Sequence, residues 1–575
     1  MKKLIKDISQ DKNIHYIIIF VATLIAAIPL INLRIYGTDD GYVHLLRIIG
    51  TDKTLHAGIF PPLITSNFCR GFGYSLNLFY PPIVTYGPLF FKLFFTHYYT
   101  CLKIYTFFTI LISGYTMYHF IYDISKKRQI ALIASIIYIF IPYRLETIYN
   151  RFAIGEFTAY VFLPLLFQGL YNLIQGDGKK HYYIAIAGIG LMLSHTITTE
   201  YAAIFAFIYL LLNIKKVLQK DVLRKLGINL LFILLICAFF IVPLIEHKIY
   251  GDYAIFSAER MESTPEDVQN GAIKFVQIFK DIEENGVSFK LGIPLIIFSL
   301  LGIFTYRKMN KDYKGEYLSF LLIAIISLVM TTNIFPWKYM PSILTTLQYS
   351  WRLLTFFEFA IAILAGLNLY TLIQIIAKDK ENINNVLCVI SIIMIVISMA
   401  KINYNYHYED AKSLSDEEYE SSILSKETLS HFSINREYLP INASNVQSTY
   451  LNDREDRVYV LSGQADIINE QKHGLHLEFD VSNAIKGTEL ELPYIYYLGY
   501  DVKINDKNID TYESNNGFVT IKIPEDIESA HIVVQYKGTI LEKVSYVISL
   551  IALIGFIIYI IKGRKSNERK NEIIN

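Results

Sequence analysis

Two adjacent acids, Asp39 and Asp40, stand in TDDGYVHLLRI at 38–48, directly after the first long apolar run of the chain. Carboxylates in such a place can take a proton as general base, hold a divalent ion, or cap the helix that follows. His44 and Arg47 lie one and two helical turns beyond Asp40, which puts the three on one polar face. Asp39, Asp40 and His44 together would offer two or three ligands to a divalent metal ion, though three ligands from one segment do not make a metal site. Further along come Arg70 in NFCRGFGY, Tyr80 before Pro81 and Pro82, and Arg144, Glu146, Arg151 and Glu156 in PYRLETIYNRFAIGE. His195 and Glu200 bracket SHTITTE, and Trp351 and Arg352 follow QYS. Arginine suits a phosphate because its planar fork pairs with two oxygens at once. Arg151 and Arg352, each near the end of an apolar run, are placed ahead of Arg70 for that role. Any one of these residues reads equally well as a headgroup anchor, an ion pair or, for His195, a packing residue. Their convergence at one set of helix ends points to a site.

Other chemistries lack their signatures. There is no GxSxG, no HExxH and no Walker motif, and GFG at 71–73 has neither the strand before it nor the helix after it that a phosphate-binding glycine loop needs. The four cysteines are widely separated and form no CxxC pair. A formal charge of +1 leaves no basic excess for nucleic acid.

The elements that must position these residues are membrane helices. The chain is 53% hydrophobic and only 18% charged, against about 25% charged for an ordinary soluble protein. Twelve apolar runs are long enough to cross a bilayer, near 15–34, 103–123, 129–145, 157–175, 182–198, 200–214, 226–246, 289–306, 317–333, 351–376, 384–402 and 543–562. The first is expected to be an uncleaved anchor. Connectors rich in Lys and Arg, at 126–128, 215–225, 307–311 and 562–565, should be cytoplasmic. They fall on one side if both termini are cytoplasmic and 81–94, with its three prolines, is an interfacial or re-entrant broken helix. All the candidate site residues then face outward, and Glu358 is the main charged residue inside a span. Residues 403–542 form the one soluble segment, outside the membrane. LHLEFDV, ELELP, DVKIND, FVTIKIP and HIVVQY alternate there as half-buried strands, which predicts a small β-sandwich. The expected organisation is a transmembrane domain at 1–402, a β-rich domain at 403–542, and a final span with a basic cytoplasmic tail at 543–575. No internal repeat is evident.

An acidic pair after the first span, a long first loop running to a Pro-Pro turn, and many further spans resemble the GT-C superfamily of membrane glycosyltransferases. TDDGYVHLLRI with IFPPLITSNFCRGFGYSLNLFYPP at 59–82 looks like the bacterial membrane proteins labelled 6-pyruvoyl-tetrahydropterin-synthase-related, and SHTITTEY and YSWRLL are in the style of that group. PYIYYLGYDVKINDKNID at 493–510 is similar to the external domain of YfhO-type proteins. The pterin label itself implies a compact zinc site of histidines, for which the sequence offers no ligand spacing. The resemblance implies a GT-C-like helical core of about 12 spans, a catalytic carboxylate in the first external loop, and a polyprenyl-phosphate-linked sugar as donor. That carboxylate carries over onto Asp39 or Asp40, as a base or as part of a metal site.

The expected activity is transfer of a sugar from a polyprenyl-phosphate donor to a cell-envelope glycopolymer or glycolipid on the outer face of the cell membrane. Asp40 is preferred as base, with Asp39, His44 and Glu156 in support. Arg151, Arg352, Arg70, His195, Trp351 and Tyr80 would bind substrate. A flippase for lipid-linked saccharides and a noncatalytic polysaccharide-binding scaffold are the alternatives.

Overall fold

The computed structural model describes residues 6, 8–279, 282–284, 287–289, 293–378, 380–404, 415–424, 436–445 and 449–574. It is a polytopic helical bundle carrying a C-terminal β-sandwich. Seven helices are long and apolar enough to cross a membrane: Tyr98–Ser125, Arg128–Tyr149, Ile154–Ile174, Lys311–Thr331, Ser350–Ala377, Glu381–Ser398 and Ile540–Gly563. A pair bent by 68°, Lys220–Ile236 with Ala238–Tyr250, makes an eighth if taken as one span. The expectation of twelve is therefore not met at full length. Three of the remaining runs form the shorter apolar helices Lys12–Ala26, Tyr183–Met192 and Thr196–Leu212, and the 289–306 run lies partly outside the described residues. The 182–198 run exceeds the helix in it because the turn at Ser194–His195 ends Tyr183–Met192 and caps the next helix, Thr196–Leu212. The 81–94 stretch is a helix of only 9 residues, Ile83–Phe91, with Pro88 inside it.

Arg128–Tyr149 is the axis of the bundle and is buried along its whole apolar window. Small residues let its neighbours close on it: a Cβ on Gly366 would lie 2.9 Å from that of Ala134, and one on Gly114 would lie 2.8 Å from Ile139 Cδ1. Glu381–Ser398 and Ile540–Gly563 lie at the margin and leave apolar faces such as Ile397, Leu550 and Ile551 uncovered, as lipid-facing helices do.

A short hairpin pairs β1 (Ile282–Glu284) with β2 (Val287–Phe289). The sandwich follows, with strands β3 (Tyr459–Ser462), β4 (Asp466–His473), β5 (His476–Ala484), β6 (Glu489–Ile495), β7 (Tyr500–Ile504), β8 (Lys507–Ile509), β9 (Thr511–Glu513), β10 (Phe518–Lys522) and β11 (Ile527–Tyr536). One sheet has the order β3-β6-β10-β9 and the other β4-β5-β11-β7-β8, and all pairings are antiparallel. The sandwich rests on the first long loop of the bundle: Ile495 N–H donates to Phe72 O at 2.9 Å and Lys472 Nζ to Gly71 O at 2.8 Å. A bent segment ahead of it, 436–441, is held to the loop at 252–254, through Ala254 N–H to Leu439 O at 3.0 Å and Ile441 N–H to Asp252 O at 2.8 Å. That segment roofs the end of the bundle described next.

Candidate active site

The acidic pair sits where a turn passes into the helix Gly41–His56. Thr38 shapes the turn, its hydroxyl donating to Ile35 O at 2.6 Å and accepting from Gly41 N–H at 3.2 Å. A Cβ at position 41 would fall 2.1 Å from Ile35 O, so only glycine allows the turn. Asp40 occupies the cap position but its carboxylate makes no capping bond. The capping explanation of the pair is thereby answered by Thr38. The backbone of the pair is pinned instead to a second loop, Asp39 N–H to Asn150 O at 3.1 Å and Asp40 N–H to Arg151 O at 2.8 Å. Neither carboxylate has a hydrogen-bond or ion-pair partner among the described residues. Partial burial and the adjacent Asp40 push the Asp39 carboxyl above the usual carboxylate range, and Arg151 opposes the shift.

Arg151 is buried and bound from one nitrogen only. Its Nη1 donates to Glu156 Oε2 at 2.8 Å and to the Tyr143 hydroxyl at 3.3 Å, while Nε and Nη2 make no hydrogen bond among the described residues. The guanidinium lies 4.4 Å from the Trp351 ring. Glu156 is fully engaged, taking bonds also from Tyr143 Oη at 2.6 Å and Thr355 Oγ1 at 3.1 Å. It holds Arg151 rather than facing open space. Arg352 donates through Nη1 to Leu347 O at 2.8 Å and Gln348 Oε1 at 3.1 Å, and its buried Nε is left without a partner. The turns carrying both arginines contain a non-glycine residue in the left-handed region, Phe152 at φ 52° and Gln348 at φ 61°. Such backbone costs on the order of 1–3 kcal/mol and is kept where surrounding structure fixes a side chain in place.

On the other side, the buried guanidinium of Arg47 stacks 3.7 Å from the Tyr80 ring and donates to Tyr438 Oη at 3.4 Å. His44 Nδ1 lies 3.4 Å from Arg47 Nη1, and its ring packs 5.7 Å from that of Tyr80. Burial holds the His44 imidazole well below its ordinary range, and Arg47 and His195 add to that. Arg47 Nη1 faces His44 Nδ1, which leaves only Nε2 of that ring as a ligand atom, and among the described residues no three His, Cys, Asp or Glu, Asp39, Asp40 and His44 included, are grouped for a metal ion.

Some residues have other duties. His195 caps the helix Thr196–Leu212, its Nδ1 accepting from Thr198 N–H at 3.3 Å. Its ring nonetheless lies beside the site, since a Cβ on Gly155 would be 3.0 Å both from His195 Cδ2 and from Tyr80 Oη. Glu358 places its carboxyl at the N-terminus of the helix Pro142–Tyr149, accepting Tyr143 N–H at 3.0 and 3.1 Å. Arg144 points into the core, to the carbonyls of Thr109 and Tyr138, and Glu200 accepts from Thr346 at 2.8 Å. Arg70 is not brought to the group: its turn packs against the sandwich, and no ion pair or ring contact joins its side chain to the site among the described residues.

One residue was missed by sequence reasoning. Glu437, in the roofing segment, is half-buried and faces Arg47, Asp40 and Arg352. Desolvation pushes its carboxyl up; Arg47 and Arg352 oppose and Asp40 reinforces. Its neighbour Tyr438 is locked by Tyr74 Oη, which accepts its N–H at 3.2 Å, and by Tyr497 Oη, which donates to its carbonyl at 3.0 Å. No local sequence signal marks Glu437 among the scattered acids of 403–542.

A family model described as "6-pyruvoyl-tetrahydropterin synthase related domain; membrane protein" matches residues 78–407, more than half of the chain. The chain belongs to this family. Tyr80, Arg151, Glu156, His195, Trp351 and Arg352 lie within the matched residues; Asp39, Asp40, His44, Arg47, Arg70 and Glu437 lie outside them. A protein of Lactococcus lactis subsp. cremoris (strain MG1363), itself named only as uncharacterized, is 24% identical over 587 residues, covering 95% of this chain and 94% of the relative. Among solved structures, the archaeal oligosaccharyltransferase AglB from Archaeoglobus fulgidus, in complex with an inhibitory peptide and a dolichol-phosphate, matches with a TM-score of 0.44 at 13% identity, covering 74% of this chain and 61% of that one. The Archaeoglobus fulgidus oligosaccharyltransferase in complex with Zn and sulfate matches with a TM-score of 0.36 at 13% identity, covering 71% and 57%. The chain thus spans about three fifths of the length of the first of these enzymes.

Proposed function

We propose that this family member is a GT-C-type membrane glycosyltransferase that moves a sugar from a polyprenyl-phosphate donor to a cell-envelope polymer or lipid. The observation that carries the reading is the pairing of unengaged acid with unengaged cation: Asp39 and Asp40 are pinned by their backbones beside Arg151, whose Nε and Nη2 are open. Asp40 takes the proton of the acceptor hydroxyl as that oxygen attacks the sugar carbon from the face opposite the leaving phosphate, giving inversion. The departing phosphate needs charge stabilisation, which Arg151 and Arg352 supply through their free donors. Asp39 and Glu437, both with raised carboxyls, bracket the base and hold acceptor hydroxyls. His44 and Arg47 set the face on which Asp40 stands.

The donor sugar is lipid-linked, so the site faces outward, with both termini cytoplasmic and 403–542 outside. Asn515 is exposed whereas its neighbour Ser514 is buried against Glu491. Asn515→Cys, in a background lacking the four buried cysteines, should react with an impermeant thiol reagent in intact cells; labelling only after lysis would reverse the orientation. The activity itself is tested by mass spectrometry of envelope polymers and lipids from a deletion strain. Loss of one sugar with accumulation of its polyprenyl-phosphate form is the expected result, and an unchanged envelope in both the deletion and the Asp40→Asn strain defeats the reading.

A further inference from the structure

At the opposite end of the bundle from Asp40 there is a cavity of about 470 Å³, bordered by Gln10, Lys126, Lys127, Arg128, Tyr370 and Asn384 among others. The long helices set its depth. Tyr98–Ser125 and Ser350–Ala377 end there, and Arg128–Tyr149 and Glu381–Ser398 begin there, so it lies at the level where lipid headgroups meet the ends of membrane spans.

We propose that this cavity binds the headgroup of an anionic, hydroxyl-bearing phospholipid such as phosphatidylglycerol. Three consecutive cations line it, and none of Lys126, Lys127 and Arg128 has a carboxylate partner among the described residues; Arg128 donates only to Gln10 O, at 3.0 Å. The helix that starts at Arg128 has no side-chain cap at Lys127, so its first backbone N–H groups and the positive end of its dipole add to the same potential. Among the described residues the single acid on the wall, Glu381, is already held by Lys6 at 3.4 Å and by Gln10 at 3.3 Å. A phosphodiester is what such a wall recognises, and a headgroup amine is what it repels. The remaining polar demand is for a donor: Asn384 Oδ1 is buried and unpartnered, and a headgroup hydroxyl satisfies it. A basic connector without this concavity would have neither the volume nor the orphaned acceptor. Lys215 and Lys220, on another connector, are exposed like Lys126, Lys127 and Arg128 but are not part of this wall.

The test is native mass spectrometry of the full-length protein in detergent, titrated with phosphatidylglycerol, phosphatidic acid or phosphatidylcholine. Phosphatidylglycerol should be retained in preference, and Lys127→Gln with Arg128→Gln should weaken its retention about tenfold. Lys215→Gln with Lys220→Gln should leave retention unchanged. Asn384→Leu should keep phosphate recognition but remove the preference for phosphatidylglycerol over phosphatidic acid. Equal loss in the two charge-removed pairs would reduce the cavity to diffuse surface charge and overturn the proposal. Displacement of the lipid by millimolar glycerol phosphate would overturn it too, by assigning the cavity to a soluble phosphate.

Discussion

Two buried arginine–glutamate pairs, one at the candidate site and one in the sandwich, look alike in a list of ion pairs and differ in what they leave over. In the sandwich, Arg454 Nε donates to Glu491 Oε1 at 3.0 Å, Nη2 to Glu491 O at 3.1 Å and Nη1 to Glu455 O at 2.8 Å. Glu491 takes three further bonds, from Tyr450, Ser514 and Asn516 at 2.6, 2.7 and 3.1 Å. Every donor nitrogen and both carboxylate oxygens are used. At the site, Glu156 is equally saturated, yet Arg151 spends one nitrogen and keeps two. A closed network specifies a fold; a network closed on the acid and open on the cation presents charge to something else. The neighbours agree, because Arg151 is flanked by two free carboxylates whereas Arg454 is packed among Phe72, Tyr459 and Phe518.

The largest effect expected is on turnover. Asp40→Asn should preserve membrane insertion and cut sugar transfer by about two to four orders of magnitude, the usual worth of a general base. Near-normal transfer in both Asp39→Asn and Asp40→Asn would leave the open side of the comparison without chemistry. Next comes stability: Arg454→Ala strands the Glu491 carboxylate and should cost about 3–5 kcal/mol, read as a large fall in the thermal midpoint of the full chain in detergent. Arg151→Lys should behave differently, keeping a charge beside Glu156 but losing the fork, so that donor affinity falls with the thermal midpoint nearly unchanged. If the two variants lost stability alike, Arg151 would be a structural residue and the contrast would fail. Arg352→Lys should act in the same direction as Arg151→Lys but more weakly, because its Nη1 is anchored to the Leu347 carbonyl rather than to an acid.

The smallest effect concerns pH. The folded state holds His44 neutral well below its ordinary range, so the unfolded chain binds a proton first as pH falls past about 6.5. Stability present above that pH is therefore lost as acid approaches the folded-state value. His44→Gln removes this term, and the thermal midpoint of the variant should drop less between pH 7.5 and 5 than that of the wild type.

Apolar runs longer than a bilayer core, and strands with apolar residues at every second position, are properties of short stretches of chain, and they declare themselves without tertiary context. The sandwich shows how far this reaches. The five strands expected from alternation are β5, β6, β7, β10 and β11, and these are the interior strands of the two sheets; β3, β4, β8 and β9, which were not expected, are the four edges. An edge strand such as DIINEQKH packs little of either face and carries polar residues at its margin, so its sequence does not alternate. Length filtered the bundle in the same way, since breaks at Cys237 and at Ser194–His195 shorten runs that read as continuous. The site divides along similar lines. Asp39, Asp40, His44 and Arg47 belong together because helical periodicity is local. That Arg151 is open while Glu156 and Glu358 are spent, that Arg70 belongs to the sandwich contact, and that Glu437 reaches Arg47 from about 390 residues away were decided only when the chain closed. Hydrogen-bond saturation depends on which segments meet, and no spacing within a segment records it.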